Sequence, residues 1–127
     1  MERFDAKEVR KLLGAFLEDA KAAAVLVEGK KDRKALEELG VPGENIVEVH
    51  QGKNLADFVG GLEAFYVIIM TDSDRTGASL KKELKSLLLV EGKKVDTDYR
   101  AGFRRLAGVK FVERMAVQVS DILSPEG

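Results

Sequence analysis

Short apolar runs alternate along this chain with stretches in which apolar residues recur at helical spacing, and this alternation constrains the fold more than any other feature. The runs lie at residues 22–27, 46–49 and 65–70, and the last of them (FYVIIM) is aromatic and β-branched. Such runs are typical of buried strands. Strands that alternate with helices form parallel sheets. We therefore predict an α/β fold whose mostly parallel central sheet has about four strands and is flanked by helices on both faces.

The stretches between these runs predict helices from their periodicity and from their ends. Asp5 suits the N-cap of a first helix that continues to residue 20, and Asn54 suits the cap of a short helix that ends at residue 59. Further helices are predicted at residues 31–39, 77–88 and 98–106, and a further strand at residues 110–113. Residues 115–127 stay open, because MAVQVSDIL alternates like a strand and also fits a helix.

Composition limits the function classes that this chain can serve. With 127 residues and no linker-like stretch, we expect one domain over residues 1–127. The formal net charge is −1, so any nucleic-acid surface must be a local patch. The absence of cysteine excludes disulfides, thiolate metal sites and cysteine nucleophiles. Residues 1–7 are polar and no apolar run is long enough for a membrane span, so we expect a cytoplasmic protein.

The pentapeptide VEGKK occurs at residues 27–31 and again at residues 90–94, and the two copies have different surroundings. The first copy follows a predicted strand and precedes a predicted helix. Glu28 therefore stands at the carboxyl end of a strand, where parallel sheets bind ligands. Gly29 is expected to allow a tight turn, and Asp32 lies in the first helical turn, where a carboxylate suits the helix dipole.

The second copy follows a predicted amphipathic helix rather than a strand. Gly92 fits the residue that ends a helix, and Lys93 and Lys94 suit the negative helix end. We interpret this copy as a helix stop, so Glu91 is expected to be functionally silent.

An acidic loop, TDSDRTG at residues 71–77, follows the most hydrophobic predicted strand. Asp72 and Asp74 are so close in sequence that their carboxylates repel each other unless a cation compensates. Mg²⁺ is the natural cation, since it takes oxygen ligands and is usually held by one or two carboxylates with several waters. The alternative is structural, because at least one of the two aspartates is expected to cap the next helix.

Two other motifs partly fit this loop. The calcium-loop pattern fails because Thr76 stands at a ligand position and a strand precedes the loop where an EF-hand needs a helix. The pattern D-x-D-x-T fits phosphatases of the haloacid-dehalogenase type, in which Asp72 would be the nucleophile and Asp74 the acid/base. That alternative leaves Glu28 without a role.

Taken together, VLVEGKKD and the later VIIMTDSDRTG closely resemble the two motifs of the Toprim domain. That domain is shared by type IA and type II topoisomerases, bacterial primases and small nucleases, including the ribosomal-RNA maturation nuclease. The resemblance covers residues 22–89 firmly and the remainder loosely, and the chain length suits a stand-alone Toprim protein. It implies a compact, Rossmann-like single domain.

The resemblance also implies a chemistry. In the family, the glutamate is the general acid or base of phosphoryl transfer and the two aspartates hold Mg²⁺, with Mn²⁺ as an alternative. Carried over, Glu28 is the proton-transfer group, and Asp72 and Asp74 are the metal ligands. The implied partner is a nucleic acid, RNA or DNA, and the implied reaction is phosphodiester hydrolysis or nucleotidyl transfer.

Other residues inside the two motifs have expected supporting roles. Lys30 and Arg75 are the cations that we expect to contact phosphate. Gly29 and Gly77 are expected to have backbone roles, at the turn and at a close helix start. Asp32 is expected to cap its helix rather than to support the metal site.

A second class of function stays open, namely a catalytically silent module that binds metal or nucleic acid within a larger protein assembly. Strand passage is not expected, because Tyr66 lies in a predicted strand and no segment is large enough for a DNA-gate domain. His50, the single histidine, is expected to be an ordinary loop residue.

Overall fold

Four short strands form the central sheet. They are β1 (Ala24–Val27), β2 (Ile46–Glu48), β3 (Tyr66–Ile69) and β4 (Lys94–Asp96). All neighbouring pairs are parallel and the strand order is β2-β1-β3-β4. The computed structural model describes residues 4–49 and 54–125, so His50 lies outside the described residues. Within them the predicted α/β fold, with a parallel sheet of four strands, is confirmed.

Helices connect the strands, and several begin or end at the residues that the sequence indicates. They are α1 (Ala6–Ala20), α2 (Lys30–Leu39), α3 (Leu55–Gly60), α4 (Arg75–Val90), α5 (Asp98–Ala107) and α6 (Met115–Leu123). The side chains of Asp5 and Asn54 accept backbone N–H bonds at the starts of α1 and α3. Gly40 ends α2 in the left-handed conformation, which glycine adopts without steric cost. None of the helices in the described ranges is long and apolar enough to cross a membrane.

Two apolar cores lie on opposite faces of the sheet. Alternate strand residues point to opposite faces, so Val25 and Ile68 face one core and Leu26 and Ile69 the other. Buried residues of α1, α2, α5 and α6 belong to the first core, and those of α3 and α4 to the second. Because both of its faces are covered, β1 is buried along its whole length. Its sequence is accordingly an uninterrupted apolar run.

The fourth strand lies elsewhere than predicted. It forms at Lys94–Asp96, beginning at the last residue of the second VEGKK copy, and pairs with β3 alone. An edge strand of three residues leaves little apolar pattern, and only Val95 is hydrophobic here. Gly92 still has the left-handed conformation expected after a helix end, with φ of 76°.

The strand predicted at residues 110–113 was wrong. The Lys110 carbonyl accepts the Ser73 N–H, and the Val112 N–H donates to the Asp72 side chain, so these groups are not available for a strand ladder. The segment continues as a single 3₁₀ turn, Val112–Arg114. Of the region that the sequence left open, Met115–Leu123 is helical, since Met115, Ala116 and Val119 are buried at helical spacing in α6.

Candidate functional site

The two acidic motifs meet at the carboxyl edge of the sheet. Glu28 directly follows β1, and Asp72 follows β3, which pairs in parallel with β1. The Glu28 Oε2 atom accepts a hydrogen bond of 2.7 Å from the Asp72 backbone N–H. Adjacent parallel strands thus bring together two residues that are far apart in sequence.

Each of the other acidic side chains in these motifs is also held by a backbone N–H. Asp72 Oδ1 accepts from the Val112 N–H at 2.8 Å, which ties the loop after β3 to the Val112–Arg114 turn. Asp74 is the N-cap of α4 and accepts from the Gly77 N–H at 2.7 Å. Asp32 Oδ2 accepts from the Gly29 N–H at 3.1 Å at the start of α2, which is the helix-start role expected of it.

These four carboxylates share one arrangement. In each, one oxygen is fixed by a single backbone N–H, and the second oxygen has no hydrogen-bond partner within residues 4–49 and 54–125. A carboxylate with one anchored and one unpartnered oxygen is oriented but still able to accept a ligand. The group formed by Glu28, Asp32, Asp72 and Asp74 is called the carboxylate cluster below.

The loop after β3 is folded tightly against the start of α4, and Gly77 permits this. A Cβ atom added at Gly77 would lie 2.0 Å from the Asp72 carbonyl oxygen, so no other residue fits without a shift of the backbone. The Thr71 hydroxyl donates to the Gly77 carbonyl at 3.0 Å and closes the same loop. Gly77 is therefore required by the close approach of two backbone segments.

Gly29 has no comparable constraint, and the tight turn predicted there is not observed. Its backbone is extended, with φ of −156° and ψ of −176°, a conformation that any residue adopts. A Cβ atom at this position would have no neighbour within 4 Å.

The electrostatics of the carboxylate cluster favour protonation or a bound cation. Burial raises the pKa of Glu28, and the charges of Asp72 and Asp74 raise it further, whereas the hydrogen bond from the Asp72 N–H opposes this. Burial, followed by the charge of Asp72, raises the pKa of Asp32 to about 6. Both shifts arise because negative charge is concentrated where water is partly excluded.

Arg100 is a member of this region that the sequence analysis missed. Its side chain is 3% exposed, its Nε atom donates to the Thr71 carbonyl at 2.6 Å, and its Nη2 atom donates to the carbonyls of Val109 and Lys110. Burial lowers the pKa of Arg100, and the nearby charge of Asp72 opposes that shift. The signal that could have found it is spacing, since Arg100 shares the buried face of α5 with Phe103 and Ala107.

Lys30 and Arg75, the predicted phosphate contacts, are the first residues of α2 and α4. Both are exposed, and neither makes a side-chain hydrogen bond or ion pair with a described residue. Both lie inside the two motifs in sequence, but no hydrogen bond or ion pair among the described residues links them to the carboxylates.

The described residues contain no group of three or more His, Cys, Asp or Glu side chains that could hold a metal ion. The carboxylate cluster is therefore not a closed protein cage for an ion. Mg²⁺ commonly takes only one or two protein carboxylates and completes its shell with water or substrate oxygens.

The fold and the site together define a class: a parallel α/β protein with a cluster of carboxylates at the carboxyl edge of its sheet. A solved structure of a protein from Aquifex aeolicus has this kind of fold. It superimposes with a TM-score of 0.72, is 29% identical in sequence, and the match covers 83% of this chain and 95% of that one.

The chain is also similar in sequence to archaeal proteins named UPF0292 protein. The relative from Archaeoglobus fulgidus is 38% identical over 76 residues, which are 60% of this chain and 58% of that protein. The relatives from Pyrococcus abyssi and Methanocaldococcus jannaschii are 38% and 36% identical over 86 and 83 residues, or 66% and 65% of this chain. The matches span 58–65% of these relatives' own lengths. No protein-family model matches the chain.

Proposed function

We propose that this chain is a Toprim-type protein that binds Mg²⁺ and carries out phosphodiester hydrolysis or nucleotidyl transfer on a nucleic acid. Glu28 is the general acid or base, and Asp72 and Asp74 are the metal ligands. The observation that carries the proposal is the hydrogen bond of 2.7 Å between the Glu28 carboxylate and the Asp72 backbone, because it joins the two motifs in one site.

The donor set of the carboxylate cluster suits Mg²⁺. All of its ligand atoms are oxygens, and Asp72 and Asp74 each keep one oxygen without a partner in the described ranges. The backbone bonds to Val112 and Gly77 orient these carboxylates before any ion arrives, so little side-chain freedom is lost on binding. When bound, Mg²⁺ supplies the positive charge that phosphoryl transfer needs beside the reacting phosphate oxygens.

Glu28 suits proton transfer because its carboxyl group holds a proton more tightly here than it would when fully exposed to water. Burial and the neighbouring aspartates raise its pKa, which brings the group closer to the pH at which an acid or base works efficiently. Its Oε2 atom is fixed by the Asp72 N–H, so its Oε1 atom is the one available to a substrate or a water. Lys30 and Arg75, exposed at the first positions of α2 and α4, stay our proposed contacts to the nucleic-acid phosphates.

Cleavage or extension of labelled RNA and DNA, with Mg²⁺ and with EDTA, tests this proposal. We expect turnover that requires the metal and that falls at least about 100-fold in Glu28→Gln, the usual size of a general acid–base contribution. Glu91→Gln is the matched control, since Glu91 belongs to the second VEGKK copy and follows α4 rather than a strand.

Two outcomes would replace the proposal. Binding of metal and nucleic acid without turnover on any substrate would indicate a silent module of a larger assembly. Full activity of Glu28→Gln on phosphate monoesters, with a covalent phosphate on Asp72, would indicate a phosphatase instead.

A further inference from the structure

A cavity of about 340 Å³ opens beside Asp72 and is lined by residues of α4 and α5. The loop after β3 forms one wall, with Asp72 as its single carboxylate. The remaining charged lining residues are all cationic and come from the two helices: Lys81 from α4 and Arg100, Arg104 and Arg105 from α5. Four positive side chains thus line one cavity with one negative side chain.

Three of these cations have no ion-pair partner among the described residues. In the part of the chain that the structure describes, the ion pairs join other residues, and none involves Lys81, Arg104 or Arg105. Burial lowers the pKa of Arg100, the carboxylates of the cluster oppose that shift, and the charge of Arg104 adds to it, so Arg104 and Arg100 lie close enough to repel each other. Lysines and arginines on a protein surface are usually separated from one another by water, whereas these line one concave surface from two helices.

Arg100 gives this cavity a rigid, buried cationic group. Its Nε and Nη2 atoms are fixed by the carbonyls of Thr71, Val109 and Lys110, which sets the plane of the guanidinium. Its Nη1 atom is buried and has no hydrogen-bond partner among the described residues. Buried donors in folded proteins are nearly always partnered by protein, water or ligand. Because this nitrogen is covered from solvent, Arg100 contributes a fixed positive charge to the cavity wall rather than a free donor, and that charge favours an anionic ligand there.

We propose that this cavity binds a phosphate group of a nucleic-acid strand, next to the phosphate that reacts at the carboxylate cluster. Arginine and lysine are the side chains that recognise phosphate oxygens, and guanidinium groups can do so with two parallel bonds. Asp72 lies between the two sites, because it lines the cavity and belongs to the carboxylate cluster. The inference rests on the proposed function, which identifies the ligand as a nucleic acid. Binding of phosphate in the cavity can nevertheless be measured without turnover.

The test compares two triple variants that each remove three positive charges. The cavity variant combines Lys81→Ala, Arg104→Ala and Arg105→Ala. The control variant combines Arg10→Ala, Lys82→Ala and Lys85→Ala, which are exposed cations that do not line the cavity. Arg100 is left unchanged because it fixes the loop after β3 to the segment before the Val112–Arg114 turn. Thermal unfolding of both variants checks that each is folded.

Fluorescence anisotropy with a short labelled single strand, in EDTA, measures binding without catalysis. We expect the cavity variant to lose about tenfold or more in affinity at low salt, and the slope of log K against log salt to fall by about 0.7 for one lost phosphate contact. The control variant should keep the slope and lose much less affinity. Equal losses in the two variants would overturn the inference.

Two modified strands distinguish a terminal from an internal phosphate. One strand lacks its 5′-phosphate, and the other carries neutral methylphosphonate links. If the cavity binds phosphate, one of these modifications should weaken binding to the wild type more than binding to the cavity variant, which keeps the contacts proposed for Lys30 and Arg75. An equal effect of both modifications on wild type and variant would contradict the inference. If the binding difference is observed but no nucleic acid is cleaved or extended, the proposed function is overturned and the phosphate site still stands.

Discussion

The Glu28 carboxylate accepts a hydrogen bond from the backbone N–H of Asp72, 44 residues further along the chain. This bond crosses from the end of β1 to the end of β3, so the pairing of two strands fixes the position of a catalytic candidate. A carboxylate held in this way has its orientation set by the sheet rather than by a flexible loop.

The bond predicts different stabilities for two substitutions of Glu28. Glu28→Gln keeps an acceptor for the Asp72 N–H and removes the repulsion from Asp72 and Asp74, so its unfolding free energy should equal or exceed that of the wild type. Glu28→Ala leaves the N–H without its partner and should cost about 1 kcal/mol. Urea denaturation in EDTA measures both, and equal stability of the two variants would show that the bond contributes nothing.

Gly77 and Gly29 form a matched pair for a packing test. Gly77→Ala forces a Cβ against the Asp72 carbonyl and should destabilise the protein by more than about 2 kcal/mol. Gly29→Ala meets open space on an extended backbone and should change stability by less than about 1 kcal/mol. Both are read from the midpoint of chemical denaturation. A similar effect at the two positions would contradict the loop geometry after β3.

The raised pKa of Asp32 predicts that the unfolding free energy of the protein depends on pH. Its pKa of about 6 in the folded protein lies above the ordinary value of 3.8, so the folded state binds this proton more tightly than the unfolded state. The stabilisation that the folded state gains by binding this proton is therefore complete below pH 3.8 and is lost as the pH rises through about 6. Asp32→Asn can still accept from the Gly29 N–H but carries no charge.

In EDTA, Asp32→Asn should therefore be more stable than the wild type at pH 7.5, by on the order of 2 kcal/mol less any loss of the helix-dipole interaction. The advantage should disappear near pH 4, where the wild-type side chain is largely protonated. Unfolding free energies of both proteins across this range measure the effect. An advantage that does not change with pH would exclude Asp32 as its source.

Metal binding should stabilise the folded protein through Asp72 and Asp74. An ion that binds only the folded state at 100 times its Kd raises the unfolding free energy by about 2.7 kcal/mol. Millimolar Mg²⁺ should therefore raise the Tm of the wild type. The double variant Asp72→Asn and Asp74→Asn should not respond, although it should be no less stable than the wild type in EDTA. Glu91→Gln, as a control, should respond like the wild type.

The sequence predicted the parts of the fold that carry strong local patterns. β1 and β3 are buried on both faces and read as apolar runs, and Asp5 and Asn54 mark the helix starts they cap. It missed β4, because a short edge strand needs little hydrophobicity. It also predicted a strand at residues 110–113, where a carboxylate and a loop instead take up the backbone groups.

The candidate site was predictable to the extent that its residues lie in two local motifs. Glu28 directly follows β1, and Asp72 and Asp74 lie in the short loop between β3 and α4, so the order of strands and helices in the sequence predicted that they lie at one edge. Arg100 lies on a separate helix and meets the loop after β3 only through tertiary packing. A cavity formed between α4 and α5 leaves no contiguous signal in the sequence.

A crystal grown with Mn²⁺ and measured at a wavelength that gives anomalous scattering from manganese tests the central claim most directly. We predict one strong anomalous peak at the carboxylate cluster, in contact with oxygens of Asp72 and Asp74 and adjacent to Glu28. The peak should be absent from crystals of the Asp72→Asn and Asp74→Asn double variant. A wild-type structure with manganese elsewhere, or with none at saturating concentration, would contradict a metal-dependent site at this edge of the sheet.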